Sequence, residues 1–423
     1  MLKKLFIFLV FTVLLIMPAR AQDENGAANQ LTFLQQMFFE NQGHQFDSFL
    51  IDQFQNFLRQ NPNYKQNDQI LWMYGKILED QKNITAALIQ YLKICLLYPK
   101  GNLAPEAKSH IQQMLAQKPL ICLVDCQQPI ESYLNTNHYF ENQTEALFNV
   151  FHFIFNLNLS CFDQALLNDL ILFEESCKEN DYPGDILLYW KGFLQKRLKK
   201  FSAAYGHFKK LESLFPQSSL MPTALFESSM LAYRQFKRYE QARDGFIRLI
   251  NHFPGEPQSA LAQFYLAELY ENVFDSLNTA IDNYRLFLDA FPDHPLALKA
   301  FKRLTFLYFK TDRYEEAITL LGVNLNKHGS DSTVVVLIDS MANVLEKKFK
   351  KYEFAARSYI LLASQLPTNE QTPYYLYRAA RIYLKFLKDT ARARDICNRL
   401  SKNFAESPYA EKCKLLLKQA IKK

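Results

Sequence analysis

Glycine is scarce in this chain, with only 11 among 423 residues. So few glycines do not suit a nucleotide-binding fold, and no Gly-x-x-x-x-Gly-Lys-Ser/Thr phosphate loop occurs. The Gly-x-Ser-x-Gly elbow of many hydrolases is also absent, and the eight histidines never form the His-x-x-x-His pair of zinc proteases. The sequence therefore predicts no enzyme, no cofactor and no metal site.

Long apolar runs are also rare, and the run from Leu5 to Met17 is flanked by the features of an export signal. Lys3 and Lys4 precede it, and the small-x-small triplet at residues 19–21 follows it, as in an export signal. Its 13 residues fall short of the roughly 20 that a spanning helix needs, although an uncleaved anchor is the alternative. The first cysteine is Cys95, so no lipid attachment is expected at the cleavage site.

What the chain does contain is a repeat. Ala204, Ala242 and Ala280 lie 38 residues apart, each with an aromatic residue four positions later and a proline twelve positions later. The full triplets are Leu50, Phe54, Pro62; Ala87, Tyr91, Pro99; Ala204, Phe208, Pro216; Ala242, Phe246, Pro254; Ala280, Tyr284, Pro292; and Ala355, Tyr359, Pro367. The series continues less strictly at Ala317 and Ala393. A period of this size indicates stacked helical hairpins in an all-α, right-handed superhelical solenoid, and we expect one elongated, curved unit.

This pattern resembles the second helix of the tetratricopeptide repeat. The family's first helix carries a glycine twelve residues before the alanine, and Gly75 and Gly192 hold that position here. The usual repeat has 34 residues, so four extra residues are expected in the first helix or in the connection before it. The longer repeats with paired prolines are similar to two bacterial envelope families. These are the lipoprotein of the outer-membrane β-barrel assembly machine and the cell-division coordinator that works beside the Tol–Pal system.

The register divides the chain into six segments. They are a signal peptide (1–21), a tether with the start of the first helix (22–44), N-terminal repeats (45–118), an irregular repeat or insertion (119–141), further repeats (142–408) and a capping helix (409–423). Gln22 to Gln30 is polar and is expected to be a flexible tether. In the irregular segment Cys126 and Ile130 stand where an anchor pair is due, but Pro129 argues against a regular helix. The last segment is amphipathic and ends in lysines, which favours a cap over a membrane-binding helix.

Charge is distributed unevenly. Residues 22–298 hold 22 basic and 31 acidic residues, whereas residues 299–423 hold 24 and 12. In the tetratricopeptide family, the first helices line a concave groove that binds peptides. When each repeated alanine is matched to the corresponding alanine of the family repeat, the groove positions fall upstream on Tyr189, Glu227 and Tyr265. Downstream they fall on Lys299, Lys302, Phe306, Lys310, Lys347, Lys348, Arg378 and Lys385. Lys299 with Arg303 matches half of the family's carboxylate clamp, without its asparagines. The resemblance thus implies a groove for acidic protein or peptide segments, while solvated helical faces are the plainer explanation.

These features favour a non-catalytic exported scaffold that binds protein partners in the bacterial periplasm. The alternative is a structural component of outer-membrane assembly or of cell-wall and division coordination. Nucleic acid is not an expected partner, because most of the exported chain is acidic.

Seven cysteines in an exported chain raise the question of disulfides. Cys161 and Cys177 flank one predicted helix, about 24 Å apart at 1.5 Å per residue, too far to bridge. Cys397 and Cys413 are each eight residues from a chain reversal, so a bridge between them is open, as is one between Cys122 and Cys126. Small buried hydrophobic residues are the alternative for most of them.

Overall fold

A computed structural model describes residues 24–117, 124–177, 181–328 and 332–421. Within these ranges the chain is helical and contains no β-strand, so the all-α prediction is confirmed. The chain divides into two compact units after Lys237, which corrects the expectation of one continuous unit. The predicted signal peptide lies outside the described residues.

The first unit contains eleven described α-helices, arranged mainly as successive hairpins. They are α1 (Glu24–Glu40), α2 (Asp47–Gln60), α3 (Asn67–Asp80), α4 (Ile84–Leu97), α5 (Ala104–Gln117), α6 (Gln127–Asn135), α7 (Gln143–Asn156), α8 (Asp163–Ser176), α9 (Gly184–Arg197), α10 (Phe201–Leu214) and α11 (Met221–Arg234). A 3₁₀ turn, Ser160–Phe162, precedes α8.

The second unit contains ten described α-helices. They are α12 (Tyr239–His252), α13 (Pro257–Asn272), α14 (Leu277–Ala290), α15 (Ala297–Lys310), α16 (Tyr314–His328), α17 (Ser332–Lys347), α18 (Tyr352–Gln365), α19 (Thr372–Ile382), α20 (Thr390–Asn403) and α21 (Pro408–Ile421). A π-helical stretch, Tyr383–Leu387, extends α19. Helix α17 forms although its first residues include three consecutive valines, which favour strands in isolation.

The repeated alanines lie near the start of their helices, on the buried side. Ala204, Ala242 and Ala280 are fully buried, and each is the fourth residue of its second helix. In two hairpins of the first unit, the aromatic residue one turn after the anchor presses against the first helix of the same hairpin. A Cβ added to Gly192 would lie 2.8 Å from the Phe208 ring, and one added to Gly75 would lie 2.7 Å from its own aromatic neighbour. The glycine therefore makes room for the aromatic side chain.

A second feature repeats with the same period as the alanines. Five residues before each anchor the chain adopts positive φ without glycine, at Lys82, Lys199, Lys237, Asp275, Asp312, Lys350 and Lys388. This left-handed residue ends the first helix and reverses the chain. At Lys199 the following amide donates to the Gln195 carbonyl at 2.8 Å, which closes the helix end.

The extra length of the repeat lies where it was predicted. Between α10 and α11, and again between α14 and α15, six residues connect one hairpin to the next. Between α12 and α13 only four residues remain, but α13 begins at Pro257 and has 16 residues. Proline suits this first turn because its missing N–H would be unpaired there.

The first unit departs from simple stacking around α4. Ten consecutive residues of this helix, Thr85 to Ile94, are buried. It contacts not only α3 and α5 but also α6, α7 and α8, and α8 reaches back to α2 as well. Helices far apart in sequence therefore meet around α4 in this part of the first unit. A simple solenoid, whose repeats touch only their neighbours, does not make such contacts.

Two local expectations need correction. Residues 24–30 belong to α1, with Ala27 buried, and therefore do not form a flexible tether. In the irregular segment Pro129 does not prevent a helix, because it lies in the first turn of α6, where its missing N–H costs little. Cys126 and Ile130 are both buried there, as an anchor pair would be.

Cys397 and Cys413 form a disulfide with Cα atoms 5.6 Å apart. The bridge joins α20 to α21, and Cys397 holds the position four residues after Ala393 where other repeats carry an aromatic residue. Cys161 is disulfide-bonded but not to Cys177, which is a thiol, as the spacing predicted. Cys126 is also a thiol, so it forms no bridge with Cys122, and burial raises its pKa to about 11.

Candidate functional site

The first helices of the second unit carry most of the predicted groove residues. On α15, Lys299, Lys302, Phe306 and Lys310 lie three or four residues apart and so share one face. Phe306 is 52% exposed and Lys310 is exposed, while Lys302 is half-buried. Neither Lys302 nor Lys310 forms an ion pair within the described ranges. This face therefore presents an apolar ring between two unpaired cations.

Helix α17 repeats this combination. Val336 is 63% exposed and Val344 is 44% exposed, and Lys347 continues the same stripe one turn further. Lys347 makes no ion pair with any described residue, and Lys348 beside it lies over the Phe349 ring. The groove positions read from the sequence included the lysines of this helix but missed the valines. Their signal was available, because residues four apart on a helix share a face.

Two other predicted cations are neutralised by α13. The Lys299 ammonium lies 3.6 Å from a Glu268 carboxylate oxygen and 4.9 Å from the Phe264 ring centre. Arg303 contacts Glu271 at 2.7 Å with one nitrogen and at 3.0 Å with another. Desolvation lowers the pKa of Arg303, but the charge and hydrogen bond of Glu271, together with the contribution of Tyr284, raise that pKa overall. The half-clamp expected here is thus occupied by the protein's own carboxylates.

Arg378 proves to be a buried structural residue and not part of a groove. Only 7% of it is exposed, and its guanidinium is paired with Glu346 and bonded to the Tyr374 hydroxyl. It also donates to Asn343 at 3.1 Å. Desolvation opposes its charge, but the bonds and charge of Glu346 raise its pKa. Arg381 shares Glu346 at 2.7 Å, so α19 and α17 are tied together by this one carboxylate.

Lys385 lies in the π-helical stretch after α19 and is exposed. Phe386 beside it is 45% exposed and stacks on Tyr352 with ring centres 4.2 Å apart. Of the seven predicted cations, the structure leaves Lys302, Lys310, Lys347 and Lys385 without ion pairs among the described residues and pairs the other three.

The upstream groove positions have a different character. Glu227 pairs with Lys196 at 2.6 Å, joining α11 to α9. Tyr189 lies beside Phe155 and Phe193, with ring centres 6.1 and 6.0 Å away. In the second unit Tyr265 packs against the Phe246 ring at 6.4 Å. These positions support packing between helices and add no further positive charge.

The described residues contain no group of three histidine, cysteine or acidic side chains placed to hold a metal ion. Nor does the described part of the chain include a helix with both the length and the apolarity to cross a membrane. The chemistry that remains at the α15 and α17 faces is non-covalent: cations beside exposed apolar groups.

The family model for the tetratricopeptide repeat matches residues 374–407, which span α19 and α20. No curated protein matches the chain. Among solved structures, it is similar to a tetratricopeptide repeat protein from Parabacteroides merdae at 16% identity, covering 66% of this chain and 98% of that one, with a TM-score of 0.37. MamA from Desulfovibrio magneticus is 18% identical, with 46% and 99% covered and a TM-score of 0.36. The TPR2AB domain of yeast Sti1, solved with pHSP90, is 14% identical, with 56% and 98% covered and a TM-score of 0.24.

The repeat match and the stacked hairpins together define the protein at a coarse level. It is a tetratricopeptide-like helical scaffold, a kind of structure typical of protein–protein interaction.

Proposed function

We propose that this chain is a non-catalytic, exported adaptor that binds an acidic, partly apolar segment of a protein partner. The observation that carries the proposal is the pattern on α15 and α17. Lys302, Lys310 and Lys347 have no carboxylate partner among the described residues, and they flank the exposed Phe306 and Val344. Exposed apolar side chains beside unpaired cations suit a ligand with acidic and apolar residues one helical turn apart.

The charge distribution of the chain supports a negatively charged ligand. Residues 299–423 hold 24 basic and 12 acidic residues, an excess that attracts acidic segments and speeds their association. Lys299 and Arg303 stay outside the proposed contact, because Glu268 and Glu271 already neutralise them. Binding should therefore weaken as salt is raised.

Export is supported by two features of the sequence and structure. The first is the predicted signal at residues 1–21. The second is the Cys397–Cys413 disulfide, since such bonds persist in oxidising compartments such as the periplasm. Cleavage after residue 21 would be checked by N-terminal sequencing of protein recovered from the periplasm.

The test is charge reversal at the three unpaired lysines. The variant Lys302→Glu/Lys310→Glu/Lys347→Glu should bind an acidic amphipathic peptide, with glutamates and leucines at helical spacing, at least tenfold more weakly in fluorescence anisotropy. The matched control is Lys199→Glu/Lys237→Glu, which changes exposed turn lysines and should bind normally. Equal binding by both variants would reject the site.

Arg378 is unsuited to this test. Its reversal would place a second carboxylate beside Glu346 in a buried position, so that lost binding would report lost folding.

The alternative, a component of outer-membrane assembly or of cell-wall coordination, differs in its partner. Co-purification of a β-barrel insertase or a peptidoglycan synthase, lost in the triple-reversal variant but kept in the control, would favour it.

A further inference from the structure

The first unit contains a cavity of about 340 Å³ that opens to the surface. It lies where α8 packs back onto α2 and α4, with α3 completing the wall. Small-molecule sites in proteins start at about 300 Å³, so this cavity reaches the size of a ligand pocket. It does not include any residue of the proposed peptide site.

The floor of the cavity is polar and buried. Thr85 is 7% exposed, Gln90 is 1% exposed and Asp169 is 6% exposed. Exposed amides stand around the rim, at Gln164 and Asn168 on α8. Buried polar side chains carry a desolvation cost, which is offset only if they find hydrogen-bond partners.

The charged groups at the floor of the cavity neutralise each other, and hydrogen bonds fix their positions. Asp169 is paired with the buried Lys93 ammonium, and its second oxygen accepts from Gln90 Nε2 at 2.9 Å. The carbonyl oxygen of Gln90 in turn accepts from Lys93 at 3.2 Å. Asp169 lines the cavity and Lys93 does not, so the wall presents a carboxylate whose charge Lys93 already balances.

The remaining polar groups act as both donors and acceptors. Gln55 Nε2 donates to the Tyr74 hydroxyl at 2.8 Å, which leaves the Tyr74 proton and the Gln55 carbonyl for a ligand. Amides and hydroxyls such as Asn83, Thr85 and Asn168 can each give and accept a hydrogen bond. A buried carboxylate or phosphate would require an unpaired cation inside the cavity, but Lys93 is paired with Asp169, and Lys200 reaches the rim only through its hydrogen bond to Gln164 at 3.0 Å. An amine would require an unpaired carboxylate.

We propose that this cavity binds a neutral, hydroxyl-rich ligand of the size of a single sugar ring. Each hydroxyl of such a ligand both donates and accepts, which matches the amides and hydroxyls of the wall. The ligand adds no charge beside the compensated Lys93–Asp169 pair. This binding is separate from capture of an acidic peptide.

The first experiment measures binding of glucose and N-acetylglucosamine to the full chain by saturation-transfer NMR. We expect a dissociation constant of about 1 mM or tighter for at least one of them. The charged analogues glucosamine and glucuronate should bind at least tenfold more weakly. Absence of binding by both neutral sugars at tens of millimolar would overturn the proposal, and so would tighter binding of a charged analogue.

Variants then locate the site. Gln164→Ala/Asn168→Ala changes two exposed rim residues and should weaken sugar binding at least tenfold while the circular dichroism spectrum stays unchanged. The matched control, Gln113→Ala, alters an exposed amide on α5 away from the cavity and should bind normally. Equal binding by the rim variant and the control would overturn the assignment. The triple-lysine variant should keep its sugar binding, so the two proposals fail independently.

Discussion

The two units are built from the same kind of hairpin but differ in how their helices pack and in which charged side chains they bury. In the second unit the described helices pack on near neighbours in sequence, and their first helices are linked by ion pairs such as Arg303–Glu271. In the first unit α8 returns to α2 and α4, so that α4 is surrounded and Lys93 and Asp169 are enclosed. One repeat pattern can therefore build either an open stack or a closed bundle, depending on whether a distant helix packs back onto earlier ones.

The composition of α4 reflects this difference. Where other second helices alternate buried and exposed residues, α4 has a mostly apolar sequence, interrupted by Thr85, Gln90 and Lys93. A helix that is apolar all round is buried on all sides. Gln90 and Lys93 are accommodated because Asp169 on α8 contacts them both.

The largest predicted loss of stability comes from breaking a buried ion pair, compared with breaking an exposed one. Lys93→Ala leaves the Asp169 carboxylate buried without its counter-charge and should lower the free energy of unfolding by about 3–5 kcal/mol. The matched variant in the second unit is Arg357→Ala, which removes an exposed pair with Glu315 and should cost about 0–1 kcal/mol. Urea unfolding followed by circular dichroism measures both. Similar losses would show that the first unit is not organised around a buried pair.

The second effect concerns the end of the second unit. Replacing both cysteines in Cys397→Ser/Cys413→Ser removes a cross-link between residues 16 apart and should cost about 3 kcal/mol. Calorimetry should show a lower melting temperature for the second unit alone. Cys177→Ser, which alters a thiol of the first unit, serves as the control. A shift of the first unit's transition in the double variant would contradict the separation of the two units.

The smallest predicted change in stability concerns the left-handed turn that both units contain. Lys82 and Lys350 hold the left-handed turn in the first and second unit, with φ of 62° and 55°. Lys82→Gly and Lys350→Gly should each raise the free energy of unfolding by about 1 kcal/mol, because glycine adopts this conformation without strain. Lys82→Ala and Lys350→Ala should give no gain. Stabilisation in one unit but not the other would mean that the turns are not equivalent.

Much of the fold was predictable because a helical hairpin depends on residues that are close together in the sequence. The spacing of Ala242, Phe246 and Pro254 places a helix, its tight contact and its end within 12 residues. The left-handed turn was missed for a reason: lysine and aspartate occupy it here, and neither residue predicts positive φ as glycine does.

The site was only partly predictable. Lys302, Lys310, Lys347 and Arg378 look alike as groove positions in a sequence, yet only Arg378 meets a carboxylate on a neighbouring helix. Such pairing depends on Glu346, 32 residues away, and register alone does not reveal it.

The hairpins, their spacing and the ends of the helices follow from the amino-acid order alone, since these depend on residues within one or two turns. Long-range packing sets which charges are neutralised and brings α8 back to α4. Both outcomes depend on contacts between residues such as Gln90 and Asp169, 79 positions apart, and no periodic pattern encodes a contact at that distance.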